Sequence, residues 1–436
     1  MARFCIVDLG CRVNKYESDC VSEKLCANGF ERVKSGDECD ICIINTCTVT
    51  QESDRKSCQM IRRMIKSHPH AFVIAMGCAA QNGYDKLKNI KGLDCIIGNR
   101  KKLMCEDLAK EFIKNKKKND ECKIFVEDVN SLPFEKMSIC RAERTRAYIK
   151  IEDGCENRCT YCAIPNARGK ISSKPKSDII SEVSALCENG WKEVVLTGIE
   201  TASWGRDLED GDLVGLISEV SKIDKLERIR LGSLYPTYID DGFAKEFSQN
   251  KKLMPHFHIS VQSGSDDVLR AMGRRYTSSD VLKIMNDLRK INPDVQFSCD
   301  LLTGFPGESD ENFSQTLEFL KAARFYHVHQ FPYSIRENTV AAMMKDRIPS
   351  DIKRRRFDTV SALCEKIKAD IQDEYIKNGT EFSMLCESKK CGVFCGHSDN
   401  FIECFIESDE DLRGKILRVK LDRRVGDKVF AKITEA

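Results

Sequence analysis

The segment Asp153-Gly-Cys155-Glu-Asn-Arg-Cys159-Thr-Tyr-Cys162 constrains this chain more than any other. It sets three cysteines at C-x₃-C-x₂-C spacing directly after a strand-like run, Ala147–Ile151. Three thiolates can hold three irons of a [4Fe–4S] cluster and leave the fourth iron open. A zinc knuckle needs a fourth ligand close by, and the next His or Cys candidates are distant. The fold must therefore present a loop at the end of a strand, with room above it for a molecule that chelates iron.

The surrounding pattern supplies such a fold. Further strand candidates are Glu193–Thr197, Arg228–Leu231, His256–Val261, Gln296–Leu302 and His327–Phe331. Helical patterns separate them, including Lys176–Asn189, Asp212–Lys222, Ser278–Ile291 and Asn312–Ala323. About six β/α units in series predict an incomplete (β/α)₆ TIM-like barrel, whose post-strand loops carry the chemistry. Upstream, Phe4–Leu9, Ile41–Ile44 and Phe72–Met76 read as buried strands separated by helical stretches, which predicts a parallel α/β sheet. Each of these strands runs into a cysteine turn: Gly10-Cys11, Asn45-Thr46-Cys47 and Gly77-Cys78. Strands of an open α/β sheet present their carboxyl ends along one edge, so these three thiols are expected to converge. After Tyr375, five short strand candidates with polar turns predict a small antiparallel β-barrel, an architecture that often binds RNA. Its cations, Arg413, Lys415, Arg418, Lys420, Arg423, Arg424 and Lys428, are mixed with Asp409, Glu410 and Asp411. The basic run Lys110–Asn119 reads as a connector or exposed helix end.

A length of 436 residues accommodates two or three cores. The net charge is only +2, so nucleic-acid binding must use local patches. No apolar run of about 18 residues exists to span a membrane. The start, Met-Ala-Arg-Phe-Cys, lacks a signal-peptide pattern, and the expected location is the cytoplasm. Twenty-three cysteines in a chain expected to stay in a reducing compartment point to metal ligation or to small buried thiols, not to disulfides. Beyond the six above, Cys5, Cys20, Cys26, Cys39, Cys42, Cys58 and Cys95 read as core or surface residues, and Cys391 and Cys395 as structural.

An ordered set of motifs resembles the radical S-adenosylmethionine methylthiotransferase family along the whole chain. Its members here are Leu9-Gly-Cys-Arg-Val-Asn-Lys-Tyr-Glu-Ser18, Asn45-Thr-Cys-Thr-Val-Thr50, Asp54-Arg-Lys-Ser57 and Gly77-Cys78. The set continues with Asp153-Gly-Cys through Ala167-Arg-Gly169, Leu196-Thr-Gly198, Val261-Gln-Ser-Gly-Ser265 and Gly304-Phe-Pro-Gly-Glu308. The resemblance implies an N-terminal auxiliary-cluster domain over 1–125, a radical core over 140–370 and a C-terminal TRAM domain over 376–436. It implies two [4Fe–4S] clusters, one on Cys155, Cys159 and Cys162 and the other on Cys11, Cys47 and Cys78. It also implies S-adenosylmethionine as cofactor and a reductant such as flavodoxin or ferredoxin as partner. The residues around Cys11 and Cys47 resemble the branch acting on N6-threonylcarbamoyladenosine at position 37, in the anticodon stem-loop of tRNA. Isopentenyladenosine in tRNA, or a ribosomal protein, would be the substrate of other branches. A non-catalytic iron–sulfur RNA-binding redox sensor has no need of an open iron at a barrel mouth.

Within that resemblance, Tyr161 is expected near the adenine of S-adenosylmethionine. Gly198 and Glu200 are expected at its methionine amino group, and Gly304 in the turn shaping the adenosine pocket. Arg228, Arg230 and Arg336 are candidates for a phosphate or carboxylate, the threonylcarbamoyl group itself carrying one. His256, His258, His327 and His329 alternate with apolar residues and read as strand residues without a catalytic role.

Overall fold

A computed structural model describes residues 1–118, 121–209, 211–390 and 392–435. Asn119, at the end of the basic run, and Cys391 lie outside the described residues. The chain begins with a sheet built from β1 (Arg3–Asp8), α1 (Arg12–Ala27), β2 (Glu31–Arg32), β3 (Ile41–Thr46), α2 (Gln51–Ser67), β4 (Phe72–Gly77), α3 (Cys78–Leu87), β5 (Cys95–Ile97), α4 (Cys105–Asn115) and β6 (Lys123–Phe125). The six strands pair in parallel in the order β2-β1-β3-β4-β5-β6. β3 and β4 are buried along their full length because helices cover both faces, which is why they read as unbroken apolar runs. Apolar clusters fill each side, around Phe4, Ile43 and Ile74 on one face and Ile44, Ile61 and Val73 on the other.

The barrel follows. Its parts are β7 (Arg146–Lys150), β8 (Glu152–Asp153), α5 (Ile164–Arg168), β9 (Ser172–Ser173), α6 (Lys176–Glu188), β10 (Glu193–Thr197), α7 (Leu213–Ser221), β11 (Arg228–Leu231), β12 (Ser233–Leu234), α8 (Asp241–Gln249), β13 (His256–Gln262), α9 (Asp266–Ala271), α10 (Ser278–Ile291), β14 (Gln296–Thr303), α11 (Asp310–Ala323) and β15 (His327–Pro332). The order β7-β10-β11 continues through Gly232 into β12-β13-β14-β15, and every one of these pairs is parallel. β7 and β15 end the series unpaired with each other, so the barrel is open on that side. Helix α1 packs against β7 and sends Tyr16 and Cys20 into the barrel's own apolar core. The N-terminal sheet thus closes on the barrel through a shared helix.

A long helix, α12 (Ser350–Asn378), leads to β16 (Glu381–Lys390), β17 (Val393–Ser398), β18 (Glu403–Glu407), β19 (Ile416–Val425) and β20 (Lys428–Glu435), which close as β16-β17-β18-β20-β19. All pairs are antiparallel except β18 with β20. Among the described residues no helix is long and apolar enough to cross a membrane.

Candidate active site

The sheet edge comes first. Cys11 caps α1 after β1, Cys47 follows β3, and Cys78 opens α3 after β4. Because β1, β3 and β4 are neighbours about 4.8 Å apart, one per cysteine, the three turns lie side by side. Their loops are locked together by amides. Asn14 Nδ2 donates to Asn45 Oδ1 at 3.0 Å and to the Thr46 carbonyl at 3.0 Å, while Asn45 Nδ2 donates to Ser18 Oγ at 3.0 Å. Gly77 has φ +100, and a Cβ there would meet Asn45 Oδ1 at 2.5 Å, so this turn demands glycine. Burial, with Cys78 and Cys11 close by, pushes the Cys47 thiol up to about 11.

Cys78 also has a cation. Arg168, at the end of α5, aims Nε at Cys78 Sγ, 3.2 Å away. Its other nitrogens reach Glu17 at 2.5 Å, Asn14 Oδ1 at 2.9 Å and Asp153 at 3.3 Å. Lys150 joins Glu17 at 2.8 Å to Asp153 at 2.6 Å, and Lys102 pairs with Glu17. All five charged residues are buried. Burial disfavours charge on Glu17 and on Arg168, but the opposing partners outweigh it and hold both ionised. Of these cations, Arg168 is the one directed at a sulfur. That placement suits a sulfur that ligates a metal centre.

The second triad lies in the loop after β7 and β8. Cys155, Cys159 and Cys162 line a cavity of about 220 Å³ together with Tyr161, Glu200, Ser233, Gln262, Arg274 and Asp300. Burial raises Cys155 to about 12 and Cys162 to about 11. Arg274 Nη1 stands 3.5 Å from Cys159 Sγ and is flanked by the rings of Tyr235 and Tyr276, while its Nε has no partner among the described residues. Glu200 is buried, which pushes its carboxyl up to about 7. An unpaired buried guanidinium N–H beside a buried carboxylate, over three thiols, is a cradle for a zwitterionic ligand at an iron site. Val49 and Thr50, from the loop just beyond Cys47, line this same cavity. The loop that carries Cys47 therefore forms part of the wall over the second triad.

Gly198 and Gly304, expected at the cofactor, do not line this cavity. A Cβ on Gly198 would come 2.5 Å from Glu152 Oε2, so glycine there lets the strand end pass that buried side chain. Gly304 donates its N–H to Glu308 and admits Lys353 of α12; the turn touches the chamber through Phe305, whose ring meets the edge of Tyr161 at 6.5 Å. Arg228 and Arg230 are spent elsewhere: both pair with Glu193 and bind Ser383, Ser398 and Asp399 of the C-terminal barrel. Arg336 remains at the chamber, with Nη1 on Asp54 at 2.7 Å and Nη2 on Thr48 Oγ1 at 2.7 Å. It also lines an adjoining cavity of about 370 Å³ between α2, α3 and the turn after β15. His256 and His258 are buried on β13 and joined through Ser298, as strand residues. The sequence reading gave no role to Arg168, Glu17, Asp153 or Arg274. For Arg168, Glu17 and Asp153 the available signal was charge inside the quoted motifs; Arg274 lies outside them.

The chain matches the Radical SAM superfamily over residues 149–320 and the Uncharacterized protein family UPF0004 over residues 3–98. It is 33% identical over 426 residues to the threonylcarbamoyladenosine tRNA methylthiotransferase MtaB of Bacillus subtilis, covering 97% of this chain and 94% of that one. To the tRNA-2-methylthio-N(6)-dimethylallyladenosine synthase of Thermotoga petrophila it is 31% identical, covering 99% and 97%. Among solved structures, the radical S-adenosylmethionine methyltransferase TsrM of Kitasatospora setae superposes with a TM-score of 0.58 at 15% identity, covering 79% of this chain and 77% of that one.

Proposed function

As the chain belongs to the radical S-adenosylmethionine tRNA methylthiotransferase family, we propose that it adds a methylthio group to C2 of N6-threonylcarbamoyladenosine at position 37 of tRNA. The observation that carries this reading is the shared chamber: Val49 and Thr50 of the Cys47 loop line the same cavity as Cys155, Cys159 and Cys162. When bound, S-adenosylmethionine and the barrel-mouth cluster supply one-electron chemistry that activates the base carbon, and the sheet-edge cluster supplies a site for sulfur.

The chain's own residues divide the remaining work. Cys155, Cys159 and Cys162 hold the first cluster, and Cys11, Cys47 and Cys78 the second. Arg274 offsets thiolate charge at Cys159 and offers its free Nε to the cofactor's carboxylate. Glu200, as carboxylate, accepts the cofactor's ammonium group. Tyr161, Leu302, Phe331 and Tyr333 wall the chamber against water. Arg168 keeps the Cys78 turn against the Asp153 loop, and so fixes one triad relative to the other. Arg336, at the boundary of both cavities, is the cation for the substrate's threonyl carboxylate. The three units 1–125, 140–370 and 376–436 then serve as sulfur site, radical site and tRNA grip, with the anticodon stem-loop against the open side and a flavodoxin- or ferredoxin-type reductant as electron source.

Mass spectrometry of tRNA nucleosides from a strain lacking the gene tests this. The methylthio form of N6-threonylcarbamoyladenosine should vanish and return with the intact gene, but not with Cys47→Ala or Cys159→Ala. Loss of methylthio-isopentenyladenosine or of a ribosomal-protein mass increment instead would overturn the substrate assignment.

A further inference from the structure

A third group of thiols lies at the opposite end of the same sheet. Cys5 of β1 and Cys42 of β3 are register partners, so both side chains project to one face. Cys39, three residues before Cys42, folds over them: its sulfur is 3.3 Å from Cys42 Sγ and 3.6 Å from Cys5 Sγ. All three sulfurs lie within 4.8 Å of one another. Among the described residues, no other group of three His, Cys, Asp or Glu side chains is gathered this closely, and neither cluster triad is. That contrast separates two kinds of site. A tetrahedral ion bound at about 2.3 Å per thiolate sets its sulfurs about 3.8 Å apart, whereas a four-iron cluster spreads them wider.

We propose that Cys5, Cys39 and Cys42 form a binding site for one thiophilic d10 cation of the Zn²⁺ type, distinct from both cluster triads. Cys42 and Cys47 are five residues apart on one extended strand, so the site lies about 16 Å from the sheet edge that carries the cluster. Cys5 and Cys42 are buried, while Cys39 is half-buried and gives the ion its way in. The thiols release their protons on binding the ion. His68 and Arg3 stand near enough to Cys39 to favour its negative charge, and the fourth coordination position is left to a small exogenous ligand. Bound there, the ion ties β1 to the turn that starts β3 and braces the sheet from the end remote from its chemistry.

The test uses the full-length protein, reconstituted anaerobically with iron and sulfide, given one equivalent of Zn²⁺ and desalted. Elemental analysis should find one zinc retained per chain with iron unchanged, and X-ray absorption at the zinc edge should show three sulfurs near 2.3 Å. Cys39→Ser combined with Cys42→Ser should lose the zinc while keeping iron content and 5′-deoxyadenosine formation. Cys39→Ser alone, at the accessible position, should weaken retention with the fold intact. Zinc that is not retained, that is retained equally by the variants, or that displaces iron would overturn the proposal. So would a Cys39–Cys42 disulfide found by alkylation and mass spectrometry in place of a metal site.

Discussion

The two cysteine triads are built to opposite plans. Cys155, Cys159 and Cys162 come from a single loop of eight residues, so one stretch of backbone sets their spacing. Cys11, Cys47 and Cys78 are spread over 68 residues and meet only because β1, β3 and β4 pair in parallel. The electrostatic support, however, is the same in both. Each triad has one guanidinium on one sulfur, the half-buried Arg274 on Cys159 and the buried Arg168 on Cys78, supplied by a different segment of the chain. A local site and a distributed site thus meet the cost of burying thiolate charge by the same means. The difference lies in what each cation is tied to. Arg274 sits between two tyrosine rings inside the barrel, whereas Arg168 is held in a network that joins the sheet to the barrel.

That difference makes Arg168 the place where the comparison breaks most visibly. Arg168→Met leaves Glu17 and Asp153 short of a buried partner and should cost about 3–5 kcal/mol in a denaturant titration. Arg168→Lys should recover much of this stability yet hold less iron at the sheet-edge site, because a lysine ammonium lacks the fork that reaches sulfur and carboxylates at once. Arg274→Met should unfold the protein less and weaken S-adenosylmethionine binding more.

Next in size is Glu200. Glu200→Gln should weaken S-adenosylmethionine binding by about 1.5–3 kcal/mol, read by equilibrium dialysis, since a hydrogen bond to a charged group is removed. Burial holds the Glu200 carboxyl at about 7, above its ordinary value. The carboxylate needed for an ammonium ligand therefore grows in as pH rises through 7, and affinity should climb between about pH 6 and about 8. In the Gln variant that climb should be absent. The same shift gives folding stability that is present at low pH and lost as pH rises through 7, because the folded state holds this proton more tightly.

The smallest effect belongs to Arg336. Arg336→Ala should lower turnover of threonylcarbamoylated tRNA by about tenfold, equivalent to about 1.4 kcal/mol. S-adenosylmethionine cleavage without tRNA should be unaffected. An equal loss in both assays would make Arg336 a brace for the first turn of α2 and nothing more.

Legibility in the sequence follows the same division between local and distributed. The Cys155 loop shows itself through spacing, and the strands through apolar runs with a turn residue after each. The convergence of Cys11, Cys47 and Cys78 needs the sheet order as well, which strand-end logic provides. What sequence could not reach is the pairing of charges from separate segments. Glu17, Asp153 and Arg168 look like ordinary motif residues until the fold buries them together. Arg228 and Arg230 show the reverse: they looked available for a substrate anion, and the C-terminal barrel occupies them. Cys5, Cys39 and Cys42 read as separate core residues because nothing in a single strand announces its register partner.

In the proposed function two triads serve one chamber, the first for radical formation and the second for sulfur. The most direct test is to reconstitute Cys47→Ala, supply reductant, S-adenosylmethionine and threonylcarbamoylated tRNA, and measure 5′-deoxyadenosine and methylthiolated nucleoside in the same reaction. 5′-Deoxyadenosine should still form while the methylthiolated nucleoside does not, with Cys159→Ala abolishing both. Methylthiolated product from Cys47→Ala, or failure of that variant to cleave S-adenosylmethionine when its barrel-mouth iron is intact, would contradict it.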